Sequence, residues 1–211
     1  MQTLLAALPF LLDGLRITLL VSVVVVLLSL VIGLPLGAAL TFGPWWLRAP
    51  IRLYADIVRG IPILVLLYFV YYGLPAMKVN LASLPAAIAA LTAFKTAQII
   101  EITRGAFQSI PKGQTEAAKA IGLPMGDRFV HVLAPQAVRR FLPPFVNSVV
   151  DTVKGSALVS LLGVVDLMFA IQQVIGRTYV ALPLYAIGAL MYFAINFPLS
   201  ALSRRLEKRF I

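Results

Sequence analysis

Five long apolar stretches alternate with short polar ones along the chain, and it is their length that carries the first signal. Residues 15–40, 53–74, 84–105, 141–165 and 183–202 each run about 20 residues or more with few charges, the length a helix needs to cross a hydrocarbon core of roughly 30 Å. The pattern predicts an all-α polytopic bundle of five spans, one transmembrane domain over residues 1–211. Residues 1–14 are nearly uncharged and carry no basic segment ahead of an apolar one, which argues against a cleaved leader. In the first span Gly33 and Gly37 form a small-xxx-small face that permits close helix contact, Pro35 between them is a candidate kink, and Arg16 near the end snorkels. Trp45 and Trp46 read as interface anchors, and Tyr68, Tyr71 and Tyr72 as an aromatic belt.

The largest polar interruption, 109–135, lies between the third and fourth spans. It is too charged for hydrocarbon and too rich in helix formers for a slack linker. Pro111 stands where a helix start tolerates proline, residues 114–121 favour helix, Gly122 suits a left-handed stop, and Pro124 forbids simple continuation. A second short amphipathic piece, 127–133, is expected to end before Pro135. Ala117, Ala118, Ile121 and Leu123 form a small apolar ridge. Such a helix fits a groove on a soluble partner or rests on lipid headgroups, and the spacing alone leaves both open.

Composition adds exclusions. Apolar residues make up 61% and charged ones 12% of the chain, outside the range of soluble domains. Cysteine is absent and His131 stands alone, so no thiolate or histidine metal cluster is available. No GxxxxGK[ST] run is present, so the chain supplies no P-loop of its own. The formal charge of +10 suggests nucleic acid until its distribution is read. With the 109–135 loop placed in the cytoplasm, that side holds Arg48, Arg52, Arg104, Lys112, Lys119, Arg128, Arg139, Arg140, Arg204, Arg205, Lys208 and Arg209, against Lys78 and Arg177 outside. The positive-inside rule then puts the N-terminus outside and the C-terminus in the cytoplasm, and the charge is topological.

Several polar residues fall inside the spans, where a charge costs at least about 2.5–3.5 kcal/mol and must face a cavity or a partner. Lys95 and Gln98 share one helix face, and Asn147, Asp151 and Lys154 share another. Lys154 has Asp151 as an obvious ion-pair partner. Arg59 can pair with Asp56, and Glu101 with Arg104 or Arg59, as structural contacts. Lys95 has no acid one turn away and, with Gln98, is a candidate for a substrate path in which its ammonium meets a carboxylate, with Asn147, Asp151 and Lys154 as further candidates for the same path.

The run Glu116-Ala117-Ala118, three residues, Gly122, nine residues, then Val132-Leu133-Ala134-Pro135 resembles the EAA loop of ABC importer permeases, with Val132 and Ala134 replacing the family's Ile and Leu. Three further stretches resemble the polar amino-acid (histidine, glutamine, arginine) branch: Arg59-Gly60-Ile61-Pro62 with Leu64-Val65 and Tyr71-Tyr72-Gly73-Leu74-Pro75; Glu101-x-x-Arg104-Gly105 with Ile110-Pro111-Lys112-Gly113-Gln114; and Lys154-Gly155-Ser156-Ala157-Leu158. The resemblance implies a bacterial inner-membrane permease subunit that works by alternating access. It implies docking of Glu116, Ala117, Ala118, Gly122 and Pro135 against an ATPase. It implies two ATPase subunits that bind ATP and Mg²⁺, a second permease subunit, a substrate-binding protein and an amino-acid substrate, with no cofactor on this chain. An ion-coupled secondary transporter would instead show paired intramembrane acids or internal repeats, and a non-transporting scaffold would not need Lys95, Gln98, Asn147 and Asp151 at depth.

Overall fold

The computed structural model describes residues 2–210, and all the regular structure there is helical. Helix α1, Gln2–Phe42, is one rod. It begins well before the predicted start at residue 15, because Asp13 and Arg16 satisfy each other across one helical turn (3.2 Å) and do not interrupt it. Helix α2, Trp45–Gly60, is amphipathic: Ile51, Ala55 and Val58 are buried, while Arg48, Arg52, Asp56 and Arg59 face outward.

The expected continuous span over 53–74 does not form. Ile61 is extended (φ −96°, ψ 133°), as a residue before proline is pushed to be, and Pro62 opens a new helix. Helix α3, Ile63–Tyr68, continues through a π turn, Phe69–Gly73, and a 3-10 turn, Leu74–Met77; the axis bends by 105° at the break. The odd Arg-Gly-Ile-Pro sequence is thus a joint between the amphipathic helix α2 and the apolar helix α3.

Helix α4 spans Ser83–Gln108 and packs along α1. A Cβ on Gly33 would stand 2.6 Å from Ile99 Cγ2, and one on Gly37 2.5 Å from Thr103 Cβ, so both glycines are needed for this approach. In lipid, such close packing replaces the hydrophobic effect as the source of helix association. Leu27 and Val31, on the outer side of α1, remain exposed to the acyl chains.

Helix α5, Lys112–Ala120, ends as expected at Gly122 (φ +79°), where the Gly122 and Leu123 amides return to Lys119 O and Ala118 O. The next expectation fails. A short turn α6, Met125–Asp127, passes through a π segment, Arg128–Leu133, straight into α7, Ala134–Gly155, and a 3-10 turn, Ser156–Leu162. Together they make one rod, Met125–Leu162, that carries on through Pro135. The wider π turn accommodates a proline that lacks an N–H and whose ring crowds the preceding turn. The π turn at Phe69–Gly73 precedes Pro75 in the same way.

Helix α8, Leu167–Thr178, is tied to α1. The Asp166 side chain accepts from Phe169 N (2.9 Å) as its N-cap, and the Thr18 hydroxyl of α1 accepts from Leu167 N (3.1 Å). Asp166 is fully buried, and burial pushes its carboxyl up to about 6 against the pull of the backbone amides. Helix α9, Ala181–Phe210, closes the bundle against α7 and α8. Among the described residues four rods are long and apolar enough to cross a membrane, five if the bent α2–α3 pair is counted as one crossing.

Candidate polar cavity and coupling loop

The polar cavity lies between α4 and α7, with Arg59 of α2 at its edge. Helical spacing puts Lys95, Gln98 and Glu101 on one side of α4, while Ile99 and Thr103 pack on α1. On α7, buried Val146, Val150 and Val153 turn inward, and Asn147, Asp151 and Lys154 occupy the open face. A cavity of about 340 Å³ is lined by Gln98, Glu101, Asn147, Ser148, Asp151 and Arg59 among others. A second one of about 500 Å³ shares Ile102, Pro144 and Asn147 with it and leads toward Ser109, Arg140 and Glu207. The two form a polar seam along α4 and α7, whereas another cleft of about 280 Å³ on the same helices, lined by Leu30, Phe107, Ala137 and Phe141, is apolar.

Lys95 is only 4% exposed and stands behind Gln98 rather than on the cavity wall. Its Nζ donates to Gln98 Oε1 (2.9 Å) and, at 3.5 Å, to Ser148 O. Ser148 Oγ also lies 3.5 Å from Gln98 Oε1. Glu101 Oε2 accepts from Arg104 Nε (3.0 Å) and Nη2 (2.5 Å), and Arg59 Nη1 is 3.8 Å away. Arg104 Nη1 further donates to Gln108 Oε1 (2.6 Å). The Lys154–Asp151 and Arg59–Asp56 pairs suggested by spacing do not form among the described residues: neither reaches ion-pair distance. Lys154 is exposed one turn beyond the cavity, and Asp151 faces the cavity without a salt-bridge partner.

In the loop, Glu116 and Ala117 are exposed and Ala118 is turned inward, so the apolar ridge is split; Ile121, at 76% exposure, is its outward part. Leu123 is half-buried and Pro135 is exposed. A cluster of Phe42, Phe107 and Phe129, with centroids 5.0–5.6 Å apart and Phe42 edge-on to the other two rings, joins the ends of α1 and α4 to the π segment of the loop. Gln136 Nε2 donates to Gln114 Oε1 (3.2 Å), tying α5 to α7, and Arg140 Nη1 donates to Ser109 O (2.6 Å).

Sequence reasoning missed the seat of Lys95 behind Gln98, the contribution of Glu207 from α9 and the buried cap Asp166. Only the first had a readable signal, the i, i+3 spacing of Lys95 and Gln98. The other two depend on how distant helices meet.

Long apolar rods around a polar seam, with a compact helical loop at one end of it, define a multi-pass membrane transport subunit. Residues 29–211 match the family of binding-protein-dependent transport system inner membrane components, and the chain belongs to that family of inner-membrane permeases. It is 38% identical over 205 residues, covering 96% of this chain and 94% of the relative, to the glutamine transport system permease protein GlnP of Escherichia coli (strain K12). It is 34% identical over 205 residues (95% and 92% covered) to the arginine transport system permease protein ArtQ of Bacillus subtilis (strain 168). The crystal structure of an amino acid ABC transporter with histidines superposes with a TM-score of 0.92 at 28% identity, covering 99% of this chain and 97% of that one.

Proposed function

We propose that this permease carries polar amino acids, delivered by a substrate-binding protein, through the α4–α7 seam of an ATP-driven importer. The observation that carries the reading is the open face of α7. Asn147, Asp151 and Lys154 stand exposed there at one-turn spacing, in a rod long enough to cross the membrane. Polar groups at that depth require a water-filled path or a second protein, so a second permease subunit, identical or paralogous, covers this face. Gln98, Asn147 and Asp151 form the path, with Asp151 offering its carboxylate to a substrate ammonium. Lys154 lies one turn further along. Glu101, Arg59 and Arg104 hold α2 against α4. The names of the glutamine and arginine relatives favour polar amino acids as the substrate class.

Residues 109–135 form the cytoplasmic coupling loop within a single domain over 1–211. Glu116, Ala117, Ala118, Gly122 and Pro135 shape the part that docks on two ATPase subunits, which bind ATP and Mg²⁺; this chain binds no cofactor. The N-terminus lies outside and the C-terminus in the cytoplasm, which keeps the arginines of the loop and of the α9 end on the inner side. Reconstitution of the chain with its ATPases and binding protein in proteoliposomes tests the reading. Uptake of radiolabelled glutamine or arginine that requires ATP, is unaffected by an ion gradient, and is uncoupled from ATP hydrolysis by Glu116→Lys is the expected result. Uptake driven by an ion gradient without ATP would sink it.

A further inference from the structure

We infer that Lys95 is a positioning residue for Gln98: it fixes the carboxamide with its oxygen inward, so that the cavity receives the Gln98 amino group as a hydrogen-bond donor for a substrate oxygen. The inference rests on the proposed amino-acid path and assigns the chemistry of one of its walls.

The argument begins with what an ammonium can do. It donates and has no lone pair to accept with, so the Gln98 atom that faces Lys95 Nζ at 2.9 Å is the oxygen. The Ser148 hydroxyl, 3.5 Å from the same oxygen, is a second donor on that side. Turning the amide around would place its N–H groups against the Lys95 ammonium, which has nothing to accept with. The Gln98 Nε2 then points away from Lys95. It has no hydrogen-bond partner among the described residues, it is not among the buried unsatisfied atoms, and Gln98 lines the 340 Å³ cavity. Two N–H groups are therefore free for a ligand.

Burying Lys95 behind Gln98 changes what the wall recognises. A bare ammonium on the wall would favour any anion. Held at 4% exposure by Gln98 Oε1 and Ser148 O, the charge instead polarises the amide and leaves a neutral, directional donor facing the path. Across the cavity, Asp151 on α7 is an acceptor without a salt bridge. A donor on α4 and an acceptor on α7 suit a ligand that carries an oxygen acceptor and an ammonium together, as an amino-acid zwitterion does. The oxygen read by Gln98 belongs to a carboxylate or a carboxamide.

The test uses the assembled transporter, with its ATPases and binding protein, in proteoliposomes supplied with radiolabelled glutamine and, separately, arginine. Gln98→Leu and Lys95→Met are each expected to lower ATP-driven uptake about tenfold, and the double variant to fall no further, because both remove one oriented donor. Lys95→Arg and Lys95→Gln, which still donate to the Gln98 oxygen, are expected to stay within about threefold of wild type. These two keep the inference testable should Lys95→Met fail to assemble, since a fall of tenfold in both assembled variants would overturn it. So would Lys95→Met at wild-type uptake, or a double variant falling about a hundredfold, which would mean independent contacts. ATP-driven uptake in the wild type with the wrong variant pattern refutes only the positioning role. Absence of ATP-driven uptake in the wild type refutes the path, and the inference with it.

Discussion

Asp151 and Asp166 lie 15 residues apart in the chain, and neither has a salt bridge among the described residues, yet they occupy opposite kinds of place. Asp166 is sealed between α1, α8 and α9, accepts the Phe169 amide and titrates near 6. Asp151 looks into a polar cavity from an open helix face. An unpaired carboxylate at depth therefore has two readings. One that caps a helix and reaches no cavity holds the bundle together, whereas one that lines a cavity and caps nothing is available to a ligand.

The strongest separation of the two is expected in the pH dependence of folding. A carboxyl raised to about 6 keeps a proton in the folded chain that the unfolded chain releases near its ordinary value just below 4. The contribution of Asp166 is thus least unfavourable below about pH 4. On the order of 2–3 kcal/mol of stability is lost as pH rises from there through 6. Unfolding midpoints in detergent across this range should show that slope, and Asp166→Asn should flatten it, while Asp151→Asn should leave it in place. A slope untouched by Asp166→Asn would place its origin elsewhere.

A third carboxylate sets the scale for a paired acid. Glu101→Leu strands the Arg59 and Arg104 guanidiniums and is expected to cost about 2 kcal/mol, less than a fully buried pair because Arg59 is 45% exposed; chemical unfolding of the purified subunit measures it. Asp151→Asn should do the reverse of Asp166→Asn. ATP-driven uptake should fall about tenfold while stability stays within about 0.5 kcal/mol of wild type, as expected for an exposed side chain without a salt bridge among the described residues. The smallest effect is expected for Lys154→Ala, beyond the cavity: uptake within about threefold and stability unchanged. A tenfold loss there would extend the path outward by a turn.

The membrane bundle and the loop were readable from hydrophobic length and from the helix start at Pro111 and stop at Gly122, since those signals are local. The joint at Ile61-Pro62 was readable only as an oddity. Proline predicts a break, but the 105° turn is set by how α2 lies against α4. Pro135 misled in the other direction, because a π turn absorbs the lost hydrogen bond and the helix runs on. Around the cavity, spacing placed Lys95 with Gln98 and Asn147 with Asp151. It could not say that Lys95 stands behind its neighbour, or that Lys154 passes Asp151 by, because side-chain direction depends on the facing helix.

The rod from Met125 to Leu162 has a mechanical consequence. Its first turn belongs to the polar loop and its last lies beside α8, without a loop between them. At about 1.5 Å per residue, 38 residues make a lever of roughly 55 Å, so a tilt of about 5° around its middle moves each end by roughly 2 Å in opposite directions. Asp151 sits on that lever, beyond its centre, and the Phe42–Phe107–Phe129 cluster grips it close to one tip. If the loop docks as proposed, a push on it would reach the cavity wall along one continuous rod rather than through a chain of contacts.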